Sequence, residues 1–237
     1  MTADLRFWFD PVCPFAWMTS KWVRSVAAQR AYDVEWRLIS LRLLNRAVDY
    51  DSHFPPAYEA GHTAGLRLLR VAARARAEHG SEVLGPLYDA LGQRIWEVGP
   101  DAGAVPDRIG PLIADALAQA GLPPALADAL KDTAWDAELQ AETDEALALT
   151  GKDVGTPILH FQPPEGVAFF GPVISRLPAD DEAVELWDHV VGLARFPGFA
   201  ELKRSLRELP QLPALGVTAD QAGRTEDWHG GSRRQKK

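Results

Sequence analysis

The chain has 237 residues, of which 46% are hydrophobic, enough for one large domain or for a domain with an insertion. Its formal net charge of -8 argues against nucleic acid or an anionic membrane surface as the main partner. A single cysteine excludes an intramolecular disulfide, and six scattered histidines show no ligand spacing, so we predict no metal site.

The first predicted elements surround that cysteine. Residues 5–9 are rich in aromatic side chains and predict a short buried strand, which Asp10 and Pro11 end. Pro14 begins a run with helical periodicity, so Cys13 falls at the N-cap of a helix. There the free N–H groups and the positive end of the helix dipole favour a thiolate, which lowers the pKa and makes the sulfur nucleophilic. A small buried core cysteine is the alternative interpretation.

The helix that begins at Pro14 extends to about residue 30, and residues 33–41 alternate between polar and apolar side chains as a half-buried strand does. Strand, helix and strand within forty residues predict a βαβ unit with two parallel strands. Residues 49–56 then predict a loop, and alanine- and leucine-rich helices follow until about residue 150. The arginines between Arg67 and Arg76 alternate with leucines, which favours a solvated helix face over a phosphate site.

Strands return at residues 158–161 and 167–170, and the turn-rich connector between them suits a hairpin. Helices are predicted over residues 180–194 and 198–206. We therefore expect a sheet domain of residues 1–44 and 151–215, interrupted by a helical insertion domain of residues 45–150. Residues 216–237 are polar and predict a disordered tail.

This order of elements resembles the DsbA-like thioredoxin fold. Cys13-Pro14-Phe15-Ala16 stands where that superfamily keeps its CxxC motif, and Thr156-Pro157 before a strand is similar to its cis-proline loop. Segments such as Phe7-Trp8-Phe9-Asp10-Pro11 and residues 167–173 look most like the cytosolic mycothiol-dependent reductases, some of which reduce nitro compounds. The resemblance implies an α/β thioredoxin fold with a large α-helical insertion between the βαβ unit and the C-terminal ββα unit.

An X-Pro bond is the one peptide bond whose cis form is inexpensive, about 0.5–1 kcal/mol above trans. A cis bond before Pro157 would present the N–H and C=O of Thr156 to an extended ligand. The residues alone leave cis and trans open, and the resemblance favours cis.

The chain departs from the redox members of this family at Ala16, where they carry a second cysteine that resolves the mixed disulfide. No other cysteine can replace it, so an external thiol such as mycothiol or glutathione must resolve the mixed disulfide. A natural monothiol enzyme and an engineered variant that lacks the resolving cysteine both stay open.

We therefore expect a cytoplasmic oxidoreductase in which Cys13 is the nucleophile and a low-molecular-weight thiol is the co-substrate, with an electrophilic or disulfide substrate, no metal and no flavin. Neither a signal peptide nor a membrane span is predicted, and a homodimer is left open. The substrate is expected in a cleft between the sheet domain and the insertion. The thiol and substrate are expected to contact Pro14, Phe15, Trp17, Thr156, Pro157 and His53, with Tyr58 as a further wall candidate.

Two other functions compete with this one. The architecture is also similar to kappa-class glutathione transferases and hydroxychromene-carboxylate isomerases, which hold the sulfur of a bound thiol and often place serine where Cys13 stands. A redox-inactive relative that only binds a ligand is the third hypothesis. No general base stands at a recognisable spacing.

Overall fold

The computed structural model describes residues 3–151, 154–204, 206–217, 223 and 225–227. The α-helices are α1 (Pro14–Gln29), α2 (Leu41–Leu44), α3 (Tyr50–His53), α4 (Tyr58–His79), α5 (Leu84–Trp96), α6 (Val105–Gln119), α7 (Asp136–Thr150) and α8 (Asp180–Arg195). The strands are β1 (Leu5–Phe9), β2 (Val34–Leu38), β3 (Ile158–Phe161), β4 (Ala168–Phe170), β5 (Leu206–Glu208) and β6 (Thr225–Asp227). Short 3₁₀ helices cover Ser81–Val83, Pro100–Ala102, Pro124–Lys131, Thr133–Trp135 and Pro213–Leu215.

The main sheet has four strands in the order β2-β1-β3-β4. β1 pairs in parallel with β2, so that Phe7 lies opposite Trp36, while β3 runs antiparallel to both β1 and β4. β1 is therefore central and covered on both faces, which explains its nearly continuous aromatic sequence. A βαβ unit, inserted helices, a hairpin and a final helix form the predicted thioredoxin fold with a helical insertion, and the predicted fold class is confirmed.

Helices α2 to α7 all lie between β2 and β3 in the chain. Side chains of α2 and of α4 to α7 share one hydrophobic core with the sheet, and Tyr88 of α5 stacks on Phe9 of β1 with ring centroids 3.8 Å apart. On the opposite face of the sheet, Trp8 and Ile158 pack against Ala146 of α7. We propose that residues 45–150 form the insertion domain, and that residues 1–44 and 151–215 form the thioredoxin-like domain.

Two of the arginines of α4 contact carboxylates of α7. Arg70 binds Asp136 at 2.7 Å, and Arg76 binds Glu142 of α7 at 2.7 Å. Glu142 is buried and also accepts from Arg37 of β2 at 2.6 Å, so it joins the insertion to the edge of the sheet. Burial alone would raise its pKa, but the hydrogen bond and charge of Arg76 and the charge of Arg37 hold the pKa of Glu142 below its usual value.

The predicted helix over residues 198–206 is wrong. Residues 198–204 are not helical, and β5 (Leu206–Glu208) pairs with β6 (Thr225–Asp227) in a second sheet. Leu202 is 83% exposed, so the apolar spacing that suggested a helix has no face to bury. β6 lies within the segment predicted as a disordered tail, of which residues 218–222, 224 and 228–237 lie outside the described part of the chain. Within the described ranges, no helix is long and apolar enough to cross a membrane.

Candidate active site

Cys13 occupies the N-cap of α1, as the position of Pro14 predicts. Its N–H donates to the carbonyl oxygen of Asp10 at 3.0 Å, which closes the turn between β1 and the helix. Its Sγ accepts from the N–H of Ala16 at 3.4 Å, one of the N–H groups that a helix leaves without an internal partner. The residue is buried, with 6% of its surface exposed.

The Thr156-Pro157 segment meets this sulfur from the other half of the fold. The Cys13 thiol donates to the carbonyl oxygen of Thr156, with Sγ and O 3.3 Å apart. The peptide bond between Thr156 and Pro157 is cis. Thr156 is buried, and its hydroxyl donates to the carbonyl oxygen of Trp8 at 3.1 Å, which fixes the segment to β1. Two residues 143 positions apart in sequence are thus in direct contact.

The other predicted contact residues lie in different environments. Pro14 is the first residue of α1, and Phe15 is almost fully buried. Trp17 is 1% exposed and faces the insertion, where its indole N–H donates to Glu97 at 2.7 Å. His53 is half-buried at the end of α3 and its ring contacts Phe54. Among the described residues we find no hydrogen bond or ring contact that joins His53 to Cys13 or Thr156.

The C-terminal end of α5 holds the Cys13 segment from the insertion side. The indole N–H of Trp96 donates to the carbonyl oxygen of Pro11 at 3.0 Å. The next residue, Glu97, accepts from both Trp17 and Lys21, the latter at 2.6 Å. No pattern in the sequence predicts these contacts, because two polar atoms at the end of a helix do not reveal a partner some eighty positions away.

Asp10 is a buried carboxyl group three positions before Cys13. Its Oδ1 accepts from the N–H of Val12 at 3.1 Å, and its Oδ2 accepts from the N–H of Leu41 at 2.8 Å. Burial raises the pKa of Asp10 to about 7, against the opposing effect of these two hydrogen bonds. Asp10 therefore holds the turn before Cys13 against the start of α2. The sequence alone predicts only that Asp10 ends a strand.

A second buried titratable group lies at the start of the insertion. His62 of α4 shares a hydrogen bond with Tyr50 of α3, with Nδ1 and Oη 3.0 Å apart. Its ring also contacts Phe54 and Tyr58. Burial, aided by the charge of Arg42, lowers the pKa of His62 to about 4.

Asp10 and His62 predict opposite pH dependences of stability. The pKa of Asp10 rises on folding from 3.8 to about 7, so its contribution is present at low pH and is lost as the pH rises through 7. The pKa of His62 falls on folding from 6.5 to about 4, so its contribution is present above 6.5 and is lost as the pH falls through 4. In the wild type, between about pH 4 and pH 7, a rise in pH therefore lowers the stability through Asp10 and raises it through His62.

Single variants separate the two effects in thermal unfolding followed by circular dichroism. Relative to the wild type, Asp10→Asn should show an unfolding midpoint that rises more steeply from about pH 4.5 to 6.5, because His62 then acts alone. His62→Gln should show a midpoint that falls as the pH rises towards 7. Parallel pH curves for the three proteins would contradict the assignment of these two groups.

A cleft of about 700 Å³ lies between the outer edge of β2 and the start of α5. Trp36, Gly85 and Asp89 are among its lining residues, whereas neither Cys13 nor Thr156 lines it. The cleft does lie between the sheet and the insertion, but it is separate from the sulfur. Over the described ranges, no group of three or more histidine, cysteine, aspartate or glutamate side chains is placed to hold a metal ion.

Comparison with known proteins gives a family and a relative. Residues 12–204 match the family described as Rv2466c-like, mycothiol-dependent nitroreductase Rv2466c. The uncharacterized protein Rv2286c of Mycobacterium tuberculosis is 34% identical to this chain over 211 residues, which are 88% of this chain and 82% of that protein. The matched region contains Cys13, Thr156 and the whole helical insertion.

Solved structures show the same fold at low sequence identity. A probable DsbA oxidoreductase of Streptomyces coelicolor, SCO1869, superposes with a TM-score of 0.51 and 16% identity, over 89% of this chain and 98% of that chain. The cytosolic disulfide reductase DsbM of Pseudomonas aeruginosa superposes with a TM-score of 0.50 and 16% identity, over 80% of this chain and 99% of that chain.

Proposed function

This chain belongs to the Rv2466c-like family of mycothiol-dependent nitroreductases, and from that premise we propose that it is a cytoplasmic, mycothiol-dependent reductase with one catalytic cysteine. The observation that carries the proposal is the position of the Cys13 sulfur, which accepts from Ala16 at the N-terminus of α1 and meets the carbonyl oxygen of Thr156 at 3.3 Å. A helix N-terminus stabilises negative charge on sulfur, and a thiolate is the form that attacks disulfides.

In the proposed reaction, the Cys13 thiolate attacks one sulfur of a disulfide substrate. A bond forms between the two sulfurs, the substrate S–S bond breaks, and the leaving thiolate takes a proton from solvent. Mycothiol then attacks the mixed disulfide, and Cys13 is released as a thiolate. This exchange leaves a mixed disulfide of mycothiol and the substrate thiol, and a second mycothiol releases that thiol and forms mycothiol disulfide. With a nitro compound as the acceptor, oxidation of two mycothiols to mycothiol disulfide supplies two electrons and two protons, which convert the nitro group to a nitroso group and water.

The resolving thiol comes from outside the protein in this proposal, because Cys13 is the only cysteine in the chain. Ala16, whose N–H already contacts the sulfur, stands where an internal resolving thiol would be. Thr156, with Pro157 next to it, supports the bound thiol by presenting backbone polar groups beside the sulfur, with Pro14 and Phe15 on the helix side. His53 and Trp17 are retained only as more distant wall residues. Whether the protein forms a homodimer stays open.

Intact-mass spectrometry after incubation with oxidised mycothiol tests the proposal. We expect one adduct of a single mycothiol on Cys13, which added mycothiol removes. The matched variant Ala16→Cys should lose the adduct by itself and become two hydrogens lighter than its reduced form, since the new cysteine can displace mycothiol.

Different outcomes would point to the competing functions. Absence of any adduct on the folded protein, together with consumption of thiol by a transfer reaction, would favour a transferase or isomerase. Tight binding of mycothiol without adduct or consumption would favour a ligand-binding relative. An adduct formed with glutathione and not with mycothiol would support the single-cysteine mechanism but identify glutathione as the co-substrate.

A further inference from the structure

Tyr88 is a buried tyrosine of the insertion that packs beneath the Cys13 segment. It is 0% exposed, its ring stacks on Phe9, and it meets Trp17 edge-on with centroids 5.7 Å apart. Within the described part of the chain, its hydroxyl makes no hydrogen bond of good geometry, although the neighbouring Ser20 hydroxyl interacts with it and lowers its pKa. The nearby hydroxyl of Ser20 donates its own proton to the carbonyl oxygen of Trp17 at 2.8 Å. A buried hydroxyl without a good hydrogen bond costs about 1–3 kcal/mol, so this one calls for an explanation.

The two rings that Tyr88 contacts, Phe9 and Trp17, flank the Cys13 segment, so Tyr88 lies beside the nucleophile. Burial first, and the negative charge of Cys13 second, raise the pKa of Tyr88 well above its usual value. A hydrogen bond with Ser20 opposes this shift, as does the charge of Arg24, which lies 5.8 Å from the ring and pairs with Asp89 of α5. The charge of Asp10 adds a smaller effect that raises the pKa. Tyr88 therefore keeps its proton at neutral pH and remains a hydrogen-bond donor.

The sulfur needs different partners in its two protonation states. As a thiol, Cys13 donates to the carbonyl oxygen of Thr156. When it ionises, that hydrogen bond is lost and the negative end of the carbonyl dipole faces the thiolate at 3.3 Å. The N–H of Ala16 still donates at a long 3.4 Å, and a further donor would stabilise the charge.

We propose that Tyr88 is a positioning residue for Cys13, whose hydroxyl donates a hydrogen bond to the sulfur once the sulfur has lost its proton. This inference rests on the proposed function, because it concerns the thiolate that begins the reaction. It also assigns the insertion a direct part in the reactivity of the cysteine, since α5 brings the donor to a sulfur that the thioredoxin-like part supplies.

The test is the pH dependence of Cys13 alkylation by iodoacetamide in Tyr88→Phe, which keeps the aromatic ring and removes the hydroxyl. We expect the midpoint of the profile to move up by about one pH unit, so that alkylation at pH 7 becomes about tenfold slower. The thermal unfolding midpoint should stay the same or rise, because a buried hydroxyl without a good hydrogen bond is removed. Tyr32→Phe is the matched control, since Tyr32 packs against Trp187 of α8 and should leave the profile unchanged.

A folded Tyr88→Phe protein with the wild-type alkylation profile would overturn the inference. If this variant does not fold, tyrosine labelled with ¹³C at Cζ in the wild type carries the test. The chemical shift of one tyrosine resonance should then change with the same pH midpoint as Cys13 alkylation, and this change should disappear in Cys13→Ser. The absence of such a resonance in the wild type would also overturn the inference. Failure to form a mycothiol adduct would contradict the proposed function. The alkylation profile and the tyrosine resonance would still test the role of Tyr88.

Discussion

Replacing Cys13 with serine should abolish thiol-dependent reduction, with a loss of about 10³-fold or more in kcat/KM. A serine hydroxyl does not ionise near neutral pH and cannot form a disulfide, so neither half of the proposed cycle can take place. The substitution should leave the fold intact, because serine is a favoured N-cap residue and can accept from the N–H of Ala16 as the sulfur does.

The measurement is the consumption of mycothiol with a nitro compound or a disulfide as acceptor, together with intact mass. Ser25→Ala, on the exposed side of the same helix, is the control and should keep the wild-type rate. Full turnover in Cys13→Ser would show that the sulfur of a bound thiol does the chemistry. The protein would then act as a transferase or isomerase, and Cys13 would only mark the position of that thiol.

The sequence predicted the parts of the site that depend on local rules. Pro14 fixed the first turn of α1 and so the N-cap position of Cys13, and the Gly-Thr-Pro segment before β3 marked the loop that meets it. Both follow from the backbone preferences of proline, which act over one or two residues. The order of strands and helices was predictable for the same reason, because each element carried its own periodicity.

The contacts made by the insertion could not be predicted in this way. Tyr88, Trp96 and Glu97 looked like ordinary residues of an amphipathic helix, and only the packing of α5 against α1 places them beside the Cys13 segment. The same limit explains the wrong helix over residues 198–206, where apolar spacing was present but no surface was available to cover it. Periodicity shows that a face could be buried, whereas tertiary packing decides whether it is.

Gly92→Ala should be among the most destabilising single substitutions in the insertion, with a loss of about 3 kcal/mol or more in the free energy of unfolding. A Cβ at this position would lie 2.2 Å from Cε3 and Cζ3 of Trp17. The indole cannot move aside cheaply, because it is fully buried and donates to Glu97 at 2.7 Å. Helix propensity alone would make the same change favourable by about 1 kcal/mol. A loss of stability would therefore show that the contact with Trp17 outweighs helix propensity.

Gly192→Ala is the matched control, since Gly192 also lies inside a helix, α8, and a Cβ there would meet nothing within 4 Å. We expect this control to stabilise the protein by about 0.5–1 kcal/mol in urea unfolding, while Gly92→Ala lowers the midpoint. Equal effects from the two substitutions on the free energy of unfolding would mean that α5 does not pack closely against Trp17. Because Trp17 lies one turn after Cys13, a destabilised Gly92→Ala would show that the insertion and the nucleophile's helix are packed as one unit.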